Sequence, residues 1–434
     1  METITNVEVE IPQWVGKQPR DREFCEEFSS WYPMVHVGGS FFGPEGMVSD
    51  ETVKMRIYQY ISAYYSTGLS KKVNAMLEAL KLALHMDAFQ ESETRIHCAN
   101  GTLNLMDNTL SPQKAPCRFR LPVNYNPNAP KPELWLKFLG DLLEPEDILT
   151  LQEFFGYCLL PMNYAQKMLI IIGQGGEGKS RVGIIARHLL GDAMVNGSLA
   201  KLEVSPFARA DLQNRLLMVD DDLQLSALKT TGYIKSIITA EQPLDLERKG
   251  VQSYQGMLYC RLMAFGNGTL RSLHDRSHGF FRRQILLSAK PRPADREDEP
   301  FLARMMCDEL EGILLWALEG LYRLVENNMR FTMSRSAIEN LSAAISDGDN
   351  TVEFMQSEGY FRRDPEGEIT SRRLYRLYQD WCEDNALTPL CAKSFTAALT
   401  EKADQYGITY TRCIHSGEGR YVRGFRGIRS CGRA

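Results

Sequence analysis

A glycine-rich stretch, GQGGEGKS at residues 173–180, has residue types and a spacing that could bind phosphate. Glycines let a chain curl so that its backbone N–H groups surround an anion, and a lysine and a hydroxyl that follow can contact the outer phosphates and Mg²⁺. Lys179 and Ser180 occupy those two positions. The remaining members of the predicted site are Gly173, Gly175, Gly176, Glu177 and Gly178. We therefore predict a nucleotide site with ATP and Mg²⁺ as cofactors, in which Ser180 is a metal ligand.

The flanks of this stretch predict a strand before it and a helix after it. Met168–Ile172 is an apolar run, typical of a buried parallel strand. Arg181–Leu190 places apolar residues at helical spacing, and the N-terminus of such a helix attracts an anion. The alternative is a glycine-rich turn without a ligand. The strand–turn–helix context favours a P-loop.

Three adjacent carboxylates follow a second apolar run, Leu216–Val219. A P-loop ATPase needs an acid at the end of another buried strand, where it positions Mg²⁺ and water. Asp220, Asp221 and Asp222 are the candidates. Asp221 is preferred as the metal ligand, because Asp220 would continue the strand and Asp222 would begin the next turn. The choice among the three stays open, and an acidic surface turn is the alternative.

Further polar residues lie at the ends of the next predicted strands. An apolar run beginning at Gly256 ends at Asn267, and Arg282 and Arg283 directly precede another apolar run. Paired arginines there are either solvated or reach the nucleotide of a neighbouring subunit, which can accelerate hydrolysis about 10³- to 10⁵-fold. Between the acid run and the Asn267 run, PLDLERKGVQSYQG predicts an exposed hairpin with Arg248 and Lys249 at its tip.

The order GQGGEGKS, LLMVDDD, LERKG, AFGN and DRSHGFFRR resembles the superfamily 3 helicases. It is most similar to the helicase part of phage- and plasmid-encoded primase–helicases related to the poxvirus primase–helicase. The resemblance covers roughly residues 90–330. It implies an AAA+-like α/β P-loop fold, a hexameric ring around DNA, and 3′-to-5′ translocation on single strands.

The resemblance also implies roles for individual residues. Asn267 would orient the attacking water, and either Arg282 or Arg283 would be the arginine finger acting on a neighbouring chain. Lys249, with Arg248, would contact DNA and move with each hydrolysis step. Relatives often carry a primase module ahead of the helicase. The first 90 residues here show no carboxylate pair or cysteine set of that kind, so we expect a separate primase or host replication proteins as partners.

Helical and β periodicities predict three regions along the chain. Residues 1–120 form a mostly helical, collar-like region that ends in a β-hairpin with Asn100 and Gly101 in its turn. Residues 121–335 form the P-loop core with a flanking helical subdomain, including one long helix over Phe301–Asn327. The stretch 342–350 suggests a boundary, and residues 345–434 form the third region.

The third region predicts a winged helix. Its pattern is a helix, a strand, two helices and a basic hairpin, and the third helix would enter a DNA groove. Arg420, Arg423 and Arg426 of the hairpin would hold phosphate. A small protein–protein interaction domain is the alternative. Origin DNA is the favoured ligand of this region.

Net charge and cysteine content limit the classes of protein to which the chain could belong. A net charge of −5 over 434 residues argues against binding polyanions over the whole surface, so DNA contacts must come from local basic patches. Two exist: residues 271–296 hold seven basic and two acidic residues, and residues 410–434 hold six and one. Ten cysteines without a C-x-x-C pair predict neither zinc nor disulfides and suggest the cytoplasm. No secretion signal or membrane span is evident.

The function that these features predict is ATP-dependent unwinding of single-stranded or forked DNA during replication of a phage, plasmid or mobile element. The alternative is an ATP-gated replication initiator or repressor that binds DNA without unwinding it. A packaging or partition ATPase should lack the hairpin between the acid and asparagine strands. A small-molecule kinase should lack the basic C-terminal region.

Overall fold

The computed structural model describes most of the chain. The described residues are 21–89, 93–223, 230–250, 252–267, 278–292, 299–348, 350–385, 387, 389–416 and 420–431, without the side chains of 278, 342–348, 415, 416 and 420. The chain divides into two compact units. The first comprises residues 1–223, 232–267 and 287–334, and the second comprises residues 224–231, 268–286 and 335–434.

The first unit begins with helices packed beside a small antiparallel sheet. The sheet order is β1-β2-β3, and the helices share a core in which Phe24, Phe28, Ile57 and Leu80 are fully buried. Helices are present in this region, which the sequence predicted to be mostly helical, whereas the three short strands before α2 were not predicted. The elements are α1 Asp21–Trp31, β1 Val35–Val37, β2 Ser40–Gly43, β3 Gly46–Val48, α2 Asp50–Ile61 and α3 Leu69–Ala83.

The predicted hairpin at Asn100 and Gly101 is present, extended by a third strand. The strands are β4 Arg95–Cys98, β5 Gly101–Asn104 and β6 Thr109–Ser111, all antiparallel. Gly101 has a φ of +155°, and a Cβ there would lie 2.2 Å from the backbone oxygen of Ser111. No other residue fits this position without moving β6. The guanidinium of Arg120 donates to the backbone oxygens of Cys98 and Gly101, which fixes the following segment to the turn.

A five-stranded sheet forms the centre of the first unit. Its order is β13-β7-β12-β9-β8, and β7, β12, β9 and β8 run parallel. Every residue of β12 is buried, as expected for a strand covered on both faces. The elements are α4 Glu133–Leu142, α5 Pro145–Tyr157, β7 Met168–Ile172, α6 Lys179–Leu190, β8 Met194–Asn196, α7 Leu199–Val204, α8 Pro206–Ala210, β9 Leu217–Leu223, α9 Gly232–Thr239, β10 Leu244–Leu246, β11 Tyr254–Gly256, β12 Arg261–Gly266, α10 His278–Phe281, β13 Gln284–Ser288, α11 Leu302–Cys307 and α12 Leu310–Glu326.

Two sequence expectations in this region were wrong in detail. The long helix over Phe301–Asn327 is two helices, α11 and α12, with a break at Glu309. The Glu309 carboxylate accepts the N–H groups of Leu134 and Trp135 at 3.0 and 2.9 Å, so it caps α4. The acid strand is also longer than expected, because β9 continues through all three aspartates instead of ending before them.

Helices α5 and α12 pack unusually closely. A Cβ on Gly156 would lie 2.4 Å from the backbone oxygen of Ala317, and one on Gly320 would lie 2.3 Å from that of Gln152. Glu153, fully buried on α5, accepts hydrogen bonds from Thr332 and Arg323. The two glycines therefore set the spacing of this helix pair.

The second unit contains a three-stranded antiparallel sheet with the order β14-β16-β15. Tyr378 and Phe395 stack 4.3 Å apart in its core, against Phe354. The predicted succession of helix, strand, two helices and two strands is confirmed, and a helix covers most of the suggested boundary at 342–350. The elements are α13 Arg335–Gly348, α14 Asn350–Gln356, β14 Phe361–Thr370, α15 Ser371–Asp384, α16 Ala392–Glu401, β15 Thr409–Ser416 and β16 Arg420–Ser430. Among the described helices of the whole chain, none has the length and apolar content needed to cross a membrane.

Candidate nucleotide-binding site

The glycine-rich stretch forms a turn between β7 and α6 at the carboxyl end of the parallel sheet. Gly175, Gly176 and Gly178 have φ values of +113°, +82° and +100°, which side chains with a Cβ rarely adopt. The N–H of Gly173 donates to the backbone oxygen of Gly266 at 3.0 Å, so the turn starts beside the end of β12. The predicted strand, turn and helix are confirmed in this order.

The cradle formed by this turn holds an anion from the chain itself. One carboxylate oxygen of Glu177 accepts the N–H groups of Gln174 and Gly175, the latter at 2.8 Å. The other lies 2.6 Å from Nζ of Lys179, and both side chains are more than nine-tenths buried. The backbone amides and the lysine ammonium that would bind a phosphate are therefore turned toward a carboxylate.

The protonation of Glu177 follows from these contacts. Burial alone would raise its pKa, but the hydrogen bond from Lys179 and the backbone N–H donors outweigh burial and lower the pKa to about 2. The carboxylate is therefore an anion throughout the physiological pH range. The turn stabilises negative charge.

Ser180 and Asp221 line one cavity of about 290 Å³ beside helix α6. Ser180 lies in the first turn of α6, and Asp221 lies in β9, two residues after Val219, which lines the same cavity. Val219 and Asp221 both line this cavity, so both lie on the same side of β9 as helix α6. The hydroxyl and the carboxylate predicted as Mg²⁺ ligands thus face the same space.

The other two aspartates have different surroundings. Asp220 is 6% exposed, and its carboxylate accepts the N–H of Leu199 at 2.8 Å, at the start of α7. Burial raises its pKa above the ordinary value. Asp222 is exposed and lies within β9, not in a turn as the sequence suggested. The structure thus separates Asp221 from both neighbours by its position on the cavity.

Asn267 directly follows β12, which lies between the P-loop strand β7 and the acid strand β9. Gly266, the last residue of β12, pairs with Ile172 of β7 and Leu223 of β9. The exposed Asn267 therefore lies at the edge of the sheet from which the glycine-rich turn also emerges.

The predicted basic hairpin is a two-stranded ribbon of β10 and β11. Lys249 is exposed beside Gly250, which has a φ of +77°. Arg248 is also exposed, but it donates to the side-chain oxygen of Gln213 at 2.8 Å, as does the hydroxyl of Tyr254 at 2.7 Å. Arg248 thus helps to anchor the ribbon, and Lys249 is the cation that projects at its tip.

Arg282 and Arg283 lie between α10 and β13. Arg282 is exposed, whereas Arg283 is partly buried and donates to the backbone oxygen of Gly279. Because Arg283 helps to close the end of α10, Arg282 is the better candidate for a contact with another molecule.

The C-terminal arginines are not equivalent. Arg423 and Arg426 are both exposed, but Arg426 is also paired with Glu368 at 2.8 Å. Arg420 begins β16, and its side chain lies outside the described residues. The third helix of this region, α16, has one basic residue, Lys393, whereas the preceding helix α15 begins with Arg372 and Arg373.

One further cation lies at the site, and no role was predicted for it from the sequence. Arg292 follows β13, and its guanidinium approaches the backbone oxygen of Gly176 to 3.5 Å. It was counted only as part of a basic patch. A pattern such as KPRP directly after a core strand could have drawn attention to it, but only the fold brings it to the turn.

Comparison with known families gives two partial matches. Residues 171–283 match a family of unknown function (DUF5906), and residues 44–144 match a family described as D5 N terminal like. The first begins near the end of β7 and extends through the glycine-rich turn to Arg283. The second covers part of the N-terminal helices and the hairpin of β4–β6. The segment ahead of the glycine-rich turn is thus similar to the D5 N terminal like family.

Similar solved structures agree on the fold. Two apo A-form structures of the NrS-1 C-terminal region match with TM-scores of 0.50 and 0.52, at 12% and 11% identity. They cover 89% and 93% of this chain, and 86% and 98% of the matched chains. A further apo structure of this region matches at 0.50 and 10% identity, over 94% of this chain and all of the other. The mixed α/β fold is therefore shared with the C-terminal region of NrS-1 along most of the chain.

Proposed function

We propose that the chain is an ATP-dependent DNA helicase that acts in replication of a phage, plasmid or mobile element. The observation that carries this proposal is the anion-binding turn itself. Backbone amides and Lys179 hold a carboxylate at the point where a P-loop holds phosphate, beside a cavity that contains Ser180 and Asp221. These residues fit a nucleoside triphosphate.

Lys179 and the amides of the turn would hold the phosphates, and Ser180 and Asp221 would hold Mg²⁺. Within the described residues no group of three or more His, Cys, Asp or Glu side chains could hold a metal ion without other ligands. This suits Mg²⁺, which often takes one or two protein ligands together with substrate phosphates and water. The bound ion would neutralise charge that develops on the transferred phosphoryl group.

The other residues of the chain suit coupling of hydrolysis to DNA movement. Asn267, at the sheet edge, would orient water for attack. Lys249, at the tip of the β10–β11 ribbon, would contact the DNA backbone, and Arg282 would reach the nucleotide of a neighbouring chain in a hexameric ring. The C-terminal region would be a winged helix, which the order of its helices and strands supports, and it would bind duplex DNA through Arg420, Arg423 and Arg426.

Strand displacement on forked DNA tests this proposal. The wild-type protein should separate the strands with ATP, and Lys179→Ala should not. Lys249→Ala should lose strand displacement while it retains ATP hydrolysis in the absence of DNA, and Lys235→Ala, on helix α9, is a control for loss of one positive charge. If the wild type binds DNA in an ATP-dependent manner but displaces no strand, the protein is an ATP-gated initiator or repressor.

A further inference from the structure

The side chain in the phosphate cradle calls for a functional explanation, because a carboxylate is not required to build the turn. Glu177 lies between Gly176 and Gly178, both with positive φ. Its two oxygens take two backbone N–H groups and the ammonium of Lys179. These are the donors that the proposed function assigns to the β- and γ-phosphates. Carboxylate and phosphate therefore compete for the same atoms.

Competition follows from the limited number of donors. Lys179 is 8% exposed with its Nζ 2.6 Å from Glu177. Charge-assisted hydrogen bonds of this kind are among the strongest in proteins, and the buried lysine would lose one on departure of the carboxylate. A phosphate that enters the cradle with Glu177 still in place would also meet a like charge at close range. Occupancy by both anions is excluded on electrostatic grounds.

We propose that Glu177 is an internal competitor of nucleotide phosphate, whose carboxylate fills the cradle of the resting protein and must leave it before a triphosphate binds. This inference rests on the proposed nucleotide site. The flanking glycines provide the backbone freedom for the exchange, since they tolerate φ values that other residues do not. After release of product, the carboxylate would return to Lys179 and the amides, which favours the empty state and keeps nucleotide affinity low.

The direct test is the affinity for a non-hydrolysable ATP analogue, measured by calorimetry on the full chain. Glu177→Gln keeps the size of the side chain without its charge, and Glu177→Ala removes the side chain beyond Cβ. Both variants should bind the analogue at least tenfold more tightly than the wild type. The matched control is Glu299→Gln: its backbone oxygen bonds Arg181 of helix α6, and its exposed carboxylate is not in the cradle. It should bind as the wild type does.

Hydrogen exchange of the turn provides a second measurement that does not depend on affinity. Without nucleotide, the amides of Gln174 and Gly175 are hydrogen-bonded to the carboxylate, so they should exchange faster in Glu177→Ala than in the wild type or in Glu299→Gln. Addition of the analogue should restore protection in Glu177→Ala. Circular dichroism and thermal melting would verify that each variant is folded.

Three outcomes are distinct. Tighter binding by both Glu177 variants with faster exchange of the two amides supports the inference. If the wild type binds the analogue and the Glu177 variants bind equally or more weakly, the inference is overturned while the nucleotide site stands. If neither the wild type nor any Glu177 variant binds the analogue, the proposed function is wrong and the inference falls with it.

Discussion

At the residue scale, the adjacent aspartates Asp220 and Asp221 of strand β9 have different surroundings, and we expect them to have different roles. Asp220 is buried and caps the start of α7 through the N–H of Leu199. Asp221 faces the cavity that Ser180 also lines. The sequence predicted an acid at the end of a second strand and preferred Asp221, which is the aspartate that lines this cavity. It could not reveal the task of Asp220, because the partner lies 21 residues away in the chain.

Alanine substitutions should separate these two tasks. Asp221→Ala should reduce ATP turnover at least 100-fold with little change in stability, because the side chain is exposed and would act only on bound Mg²⁺. Asp220→Ala should reduce the free energy of unfolding by about 1–3 kcal/mol, because a buried N–H loses its acceptor. Steady-state turnover and denaturant titration check both values. Loss of turnover in Asp220→Ala at unchanged stability would reverse the assignment.

At the scale of elements, the helix pair α5–α12 depends on glycine for its close approach. Periodicity in the sequence predicted a helix where α12 lies, but it could not predict that the backbones of α12 and α5 nearly touch. Close approaches such as that of Gly320 to Gln152 join residues far apart in the chain. The break at Glu309 was missed for the same reason, since its carboxylate caps a helix more than 170 residues earlier.

Gly320→Ala should therefore destabilise the protein by about 1–3 kcal/mol, because its Cβ would overlap the backbone of α5. Gly140→Ala is the matched control. It lies in helix α4 with nothing within 4 Å of the added Cβ, so it should be neutral or stabilise by up to about 1 kcal/mol. Thermal melting of both variants checks this. Equal effects at the two sites would contradict the account of the helix packing.

The β4–β5 hairpin should make stability depend on pH through His97. Burial, followed by the charges of Arg120 and Arg95, lowers the pKa of His97 to about 4, against 6.5 in an unfolded chain. The unfolded state thus takes up the proton first as pH falls. The stability present above pH 6.5 should decrease by about 2–3 kcal/mol between pH 6.5 and pH 4.

Unfolding midpoints across this pH range test the role of His97. His97→Gln should flatten the decrease in stability between pH 6.5 and pH 4, while the exposed His85→Gln should follow the wild type. A profile that His97→Gln leaves unchanged would show that other groups cause the decrease.

At the scale of the whole molecule, local sequence signals predicted more than the interactions between distant parts. The glycine-rich turn between β7 and α6, the strand that ends before Asn267, the basic ribbon and the order of C-terminal elements all depend on short stretches, and each is present. The pairing of Arg426 with Glu368 and the seating of Glu177 in the cradle depend on side-chain geometry. The spacing of residues in the sequence predicts neither of these contacts. The extra strands before α2 were missed because each has only three or four residues.

DNA binding by the full chain should reflect this difference among arginines. Removal of one cation that binds a DNA phosphate lowers the slope of log affinity against log salt by about one. Arg423→Ala should show this decrease, because its guanidinium is exposed, whereas Arg426→Ala should change the slope less, because Arg426 is already paired with Glu368. Fluorescence anisotropy at several salt concentrations measures both. A larger effect of Arg426→Ala would contradict the assignment.

The central claim is that nucleotide hydrolysis in this fold is coupled to DNA. The most direct test is to measure ATP turnover with and without single-stranded DNA. The mass of the protein assembly is measured alongside, in the presence of a non-hydrolysable ATP analogue. We expect turnover that rises strongly with DNA, is lost in Lys179→Ala, and belongs to a particle of about six chains. Slow ATP turnover that DNA does not change, by a monomer or dimer, would contradict the claim. The protein would then be an ATP-gated switch instead of a helicase.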